Sequence, residues 1–166
     1  MKKTRLYNVI FPIWMLFLFP QVWLVALPGN LLIDCVVVLL TLLALKHTQK
    51  RAVLRKVWWK VWLLGFAADF VGVACMLPAL FMGTNLSGPR YEWWSDHIEP
   101  ILYNCWKAPL AFLWTAAAVA LSGVCIYFFD KWALRSCEQL SVRERHIVAL
   151  TLAIVTAPWT FFIPMY

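Results

Sequence analysis

Residues 58–82 read WWKVWLLGFAADFVGVACMLPALFM, and the character of this stretch decides how the rest of the chain is read. A helix rises ~1.5 Å per residue, so about twenty residues cross a hydrocarbon core of ~30 Å. Val61 to Phe81 is that long and holds one carboxylate, Asp69, near its midpoint. An Asp at the centre of a span costs ~2.5–3.5 kcal/mol on an insertion scale, while each central Leu, Phe or Val returns ~0.3–0.6 kcal/mol. The ten Val, Leu and Phe residues of the segment offset that single acid. The segment therefore inserts, provided Asp69 does not face lipid. Helical spacing supports this: Gly65, Ala68, Asp69, Gly72, Cys75, Met76 and Ala79 share one face,. Phe66, Phe70, Val73, Leu77 and Leu80 lie mostly on the other. Between helices in lipid, small residues allow close approach. The small face is expected to take a neighbouring helix, with Asp69 pointing into that contact or into a polar cavity, and the bulky face to look outward.

Composition agrees. Of 166 residues, 63% are hydrophobic and only 14% are charged, against about 25% charged in soluble domains. The mean hydropathy is +0.74. Eleven Trp suit the aromatic belts of a membrane protein,. These features predict an all-α, polytopic bundle in one integral membrane domain over 1–166, with helices at about 7–27, 31–45, 58–82, 109–129 and 147–165.

Each segment has its own signals. The basic start MKKTR precedes an apolar run that is longer than the ~7–15 residues of a signal peptide and lacks a clear cleavage site,. It reads as a retained first span, kinked at Pro20. Pro28-Gly29-Asn30 reads as a tight turn that makes a hairpin with the second span,. Residues 46–60 read as a basic loop. Residues 83–107 form the longest polar segment, whose Tyr91, Trp93, Trp94, Ile98 and Leu102 suggest a piece lying on the membrane surface. The fourth span carries a small-residue stripe, Ala111, Thr115, Ala118, Ser122 and Cys125, as a natural partner for the Gly65–Asp69–Gly72 face,. Residues 130–146 read as a second basic loop.

Lysine and arginine set orientation. With five crossings and a cytoplasmic N-terminus, thirteen of the fifteen basic residues lie inside, leaving only Arg90 and Lys107 outside. The C-terminus is then outside, and the location is the cell membrane. The net charge of +7 thus follows topology, and nucleic acid is not a partner. Some of these basic residues are placed to touch anionic headgroups.

The candidate polar site centres on Asp69. No Lys or Arg lies at comparable depth in any span. The carboxyl is expected to be carried neutral and hydrogen-bonded to a hydroxyl such as Ser122, Thr115 or Thr41. It serves either as a proton or cation site in a pathway or as a helix-packing bond. Asp34 is expected about one turn into the second span, within reach of water, where with Asn30 it lines an outer vestibule or solvates a helix start. Glu92, Asp96, His97 and Glu99 cluster on the outer side without a metal-ligand spacing, and Asn85-Leu86-Ser87 is a glycosylation sequon,. Cys35, Cys75, Cys105, Cys125 and Cys137 are scattered without a CxxC, and no catalytic or phosphate-binding motif is present,. No catalytic residue, metal or cofactor is expected. The partners are the lipid bilayer and either copies of the chain or other membrane subunits. The leading expectation is a non-enzymatic subunit or accessory component, with a small oligomeric transporter or channel using Asp69 as the alternative.

Overall fold

A computed structural model describes residues 19–165. Among these, 84% are helical and none forms a strand. The order is α1 (Pro20–Ala44), α2 (Lys50–Met82), α3 (Pro89–His97), α4 (Pro109–Ala133) and α5 (Val142–Val155), with short 3₁₀ turns between and after them. Four helical stretches are long and apolar enough to cross a membrane: Pro20–Ala44, Lys50–Asn85, Pro109–Ser136 and Val142–Phe162. α1 packs on α2 and α5, and α4 packs on α2 and α5, closing a four-membered ring.

The expected hairpin at Pro28-Gly29-Asn30 is not formed. α1 runs unbroken through Pro28, so the spans predicted at 7–27 and 31–45 merge over the described residues into one helix. The reason is the solvent. A turn at membrane depth strands several backbone groups without water, whereas a proline inside a helix forfeits one hydrogen bond. The indole of Trp62 adds a donor to the Leu27 carbonyl at 2.8 Å. Pro20 sits in the first turn of α1 rather than at a kink, where its missing N–H costs nothing. The rest of the predicted first span, and the predicted cytoplasmic N-terminus, fall on residues 1–18, outside the described residues.

Two basic loops are also shorter than expected. α2 begins at Lys50 because Val53, Val57 and Val61, four apart, bury one side of the helix and leave Arg51, Arg55 and Lys56 exposed,. α4 continues to Ala133 and takes Asp130 with it. The fifth segment starts earlier than predicted, at Val142. There Ser141 and Glu144 form a reciprocal capping box, with bonds of 3.2 and 2.8 Å,. Glu144 also meets His47 at 3.0 Å, tying this end to the α1–α2 connection.

The small face of α2 is turned inward as expected, and Ala68, Asp69, Gly72, Met76 and Ala79 are buried. The outward reading of its bulky face fails at Phe66 and Val73, which are 8% and 1% exposed. α2 has neighbours on two sides, so only a narrow strip, including Leu63 and Phe81, remains outside. Phe66 and Phe70 meet Trp23 of α1 edge to face at 5.8 and 5.6 Å.

Residues 83–108 cap one end of the bundle. Trp94 of α3 is buried and donates its indole N–H to the Ala79 carbonyl at 3.2 Å. Its ring lies against Gly83, where an added Cβ would come within 2.5 Å of ring carbons. A rigid indole cannot yield that much, so Gly83→Ala is expected to cost about 1–3 kcal/mol, the usual range for overpacking. Thermal unfolding in detergent checks this, with a lowered melting temperature as the expected result.

Candidate functional site

Asn30 and Asp34 are one turn apart on α1, and Gly65 and Asp69 are one turn apart on α2. Residues spaced by four share a helix face, and these two faces meet. The Asn30 amide donates to Asp69 Oδ2 across a long 3.5 Å contact. Gly65 leaves room for Asp34, since a Cβ built there would lie 3.6 Å from Asp34 Oδ2. Asp34 and Asp69 are each 6% exposed. The expectation that Asp34 lies near a wet helix end is thus overturned. Because α1 is one long helix, Asp34 falls near its middle, at the depth of Asp69. A second carboxyl therefore stands beside Asp69.

The third wall is a break in α5. Proline cannot donate a backbone bond, and it disfavours helix at the residue before it. α5 accordingly ends at Val155, ahead of Ala157 and Pro158. The carbonyls this leaves are partly satisfied locally. Leu152 O accepts both the Thr156 N–H and the Thr156 hydroxyl at 2.8 Å, and Ile154 O accepts from the Trp159 indole at 2.9 Å. Asn30, Asp34, Asp69 and the chain around this break, from Val155 to Thr160, line a cavity of about 260 Å³, completed by Ile33, Gly65 and Phe66. Among the described residues its charged groups are all carboxyls, with no Lys, Arg or His in the wall. The C-terminal end of α5 adds the negative end of a helix dipole. The Asp69 Oδ1 atom is buried without a hydrogen-bond partner. Such a site favours a positively charged, hydrogen-donating occupant.

Ser122 and Thr115 divide. Ser122, fully buried, lies beside the Asp69 carboxyl and donates its own proton to the Ala68 carbonyl at 2.9 Å. It stands next to Asp69 as expected, although its hydrogen-bond donor is spent on backbone. Thr115 donates to Ala111 O at 2.9 Å and Thr41 to Val37 O at 2.7 Å, each within its own helix. Neither serves Asp69, because a carbonyl one turn back is always in reach while Asp69 is not.

Asp130, expected in a loop, lies instead inside α4. It is 1% exposed, and both its carboxyl oxygens are buried without a partner. The missed signal is its spacing. Asp130 stands eight residues beyond Ser122 and four beyond Ile126, so it continues the buried stripe of α4.

The acidic cluster of α3 and the turn after it has only local partners among the described residues. Ser95 donates to Glu99, and His97 bonds the Trp93 carbonyl at 2.9 Å and stacks on its ring. Glu92 and Asp96 are exposed. Among the described residues, no three His, Cys, Asp or Glu gather as a metal set. The cysteines are free thiols. Burial pushes the Cys105 thiol, outside the long helices, above its ordinary range, which disfavours the reactive thiolate.

No family model, curated protein or solved structure matches this chain. The class is therefore defined by build alone: among the described residues, a helical bundle with four helical stretches of the length and apolarity of membrane spans.

Proposed function

We propose that this is a small, non-enzymatic, multi-pass cell-membrane transporter that binds a proton or another cation at Asp34 and Asp69. The observation that carries the reading is the shared cavity. Two buried acids and the broken end of α5 face one space. Broken helices at membrane depth are tolerated where they line a cavity, and buried ionisable groups there mark ion and substrate paths. The orientation follows the basic residues. Lys46 to Lys60 and Lys131 to Arg145 hold ten of fifteen and lie at the cytoplasmic ends. Residues 83–108, the start of α1 and the segment after α5 then face outward.

The test is flux. Purified protein in liposomes, with a pH-sensitive or sodium-sensitive dye inside, is given an imposed gradient. Wild type is expected to carry proton or cation flux at least tenfold above protein-free vesicles. Asp69→Asn is expected to lower it at least tenfold while keeping its melting temperature. Silence in the wild type rejects the transporter reading.

One observation favours a second reading, a subunit or accessory component docked on other subunits or on copies of itself. A shallow apolar groove between α4 and α5 is lined by Ala116, Ala120, Gly123 and Ala153, small residues that admit a further helix. Mass measurement in detergent separates the two, because a strictly monomeric, flux-silent protein supports an accessory role whose partner is another chain.

A further inference from the structure

We infer that the occupant of the α1–α2–α5 cavity is an amphipathic organic cation, a primary or secondary ammonium group on a compact apolar body. This rests on reading the cavity as a cation site, and it adds what kind of cation fits. The space of about 260 Å³ is several times the ~30 Å³ share of a water molecule and approaches the ~300 Å³ of small-ligand sites. It exceeds what a bare ion fills.

The chemistry of the wall is divided. Asn30, Asp34 and Asp69 gather on the α1–α2 side, and Asp69 Oδ1 is buried there with no partner. Ile33, Phe66, Val155 and Trp159 supply apolar surface. An inorganic cation takes about six oxygen ligands in Mg²⁺-like and Ca²⁺-like sites and leaves that apolar wall without use. An ammonium group has up to three N–H donors, which suits two carboxyls and an amide oxygen. The rim points the same way. Ile33, Val155 and Trp159 are about half exposed on the flank of the bundle where α1 meets α5. The apolar body therefore lies toward the lipid-facing rim, with the ammonium group between Asp34 and Asp69. Trp159 is held at the rim by its indole bond to Ile154 O.

The probe is 1-adamantylammonium, titrated by calorimetry onto the whole protein in nanodiscs at neutral pH. Empty nanodiscs correct for partitioning. 1-Adamantanol, methylammonium and sodium chloride are the comparison ligands. Saturable binding of adamantylammonium at least tenfold tighter than adamantanol and methylammonium is expected. Asp69→Asn and Asp34→Asn should each weaken it at least tenfold with an unchanged melting temperature. Trp159→Ala should weaken adamantylammonium and leave methylammonium unchanged. Equal affinity for the amine and the alcohol overturns the inference, because charge is then not recognised. Sodium binding without amine binding also overturns it, yet leaves the cation-transporter reading standing. Amine binding in a flux-silent protein upholds the inference and rejects transport.

Discussion

Gly72→Leu is expected to lose about 3 kcal/mol of stability, the upper part of the overpacking range. At roughly 2–4 °C per kcal/mol for a chain of this size, the melting temperature falls by about 10 °C. Gly72 stands where α2 packs against α4. A Cβ added there would lie 3.1 Å from Phe161 Cε2, 3.3 Å from Ser122 Cβ and 3.6 Å from the Ala118 carbonyl. The phenyl edge can swing away, but the backbone of α4 cannot. Gly72→Ala is therefore expected to be mild, since one ring must give a few tenths of an ångström. A leucine adds three more carbons and has to push the helices apart. The first bond lost is that from Ser122 to Ala68 O, which bridges the same contact and whose loss costs about 0.5–1.5 kcal/mol. Circular dichroism melting and size-exclusion profiles in detergent check the pair. A leucine variant that melts with the wild type would mean that α2 and α4 are not in this contact.

Asp130→Leu is expected to do the opposite and raise stability by about 1–3 kcal/mol, the cost of an unsatisfied buried polar group. The two side chains have the same branching, so the substitution exchanges two unpartnered oxygens for two methyls. Ile126 and Leu134, one turn to either side, already belong to the apolar cluster that receives them. Asp130→Asn keeps two polar atoms and is expected to change little. The measurement is again the melting temperature, read beside flux. A destabilised leucine variant would show that the Asp130 carboxyl has a partner in the membrane-embedded protein.

The two predictions differ in how far the chain announced them. The small face of α2 and the stripe on α4 are visible as spacing. Gly72, Ala68 and Ser122 were expected to meet, and they do. Lipid makes that inference strong, because helices without a hydrophobic drive between them associate where backbones can approach. Asp130 follows the same periodicity, but the neighbouring Lys131 and Arg135 drew it into a loop reading. Charge beyond a helix face says little about where the helix stops.

Helical class and the inward turn of Asp69 were determined by the amino-acid order itself. They depend on periodicity and on solvent preference, and both are local properties of the chain. Which acids share a cavity was decided only by tertiary structure. Pro28 reads as a turn in isolation, and only the hydrogen-bond demands of a dry surrounding keep α1 unbroken and bring Asp34 level with Asp69,. Pro158 likewise signals a break, but the side of the bundle on which the broken end lies depends on α5 closing the ring against α1. Depth and facing are relations between helices, so no single segment carries them.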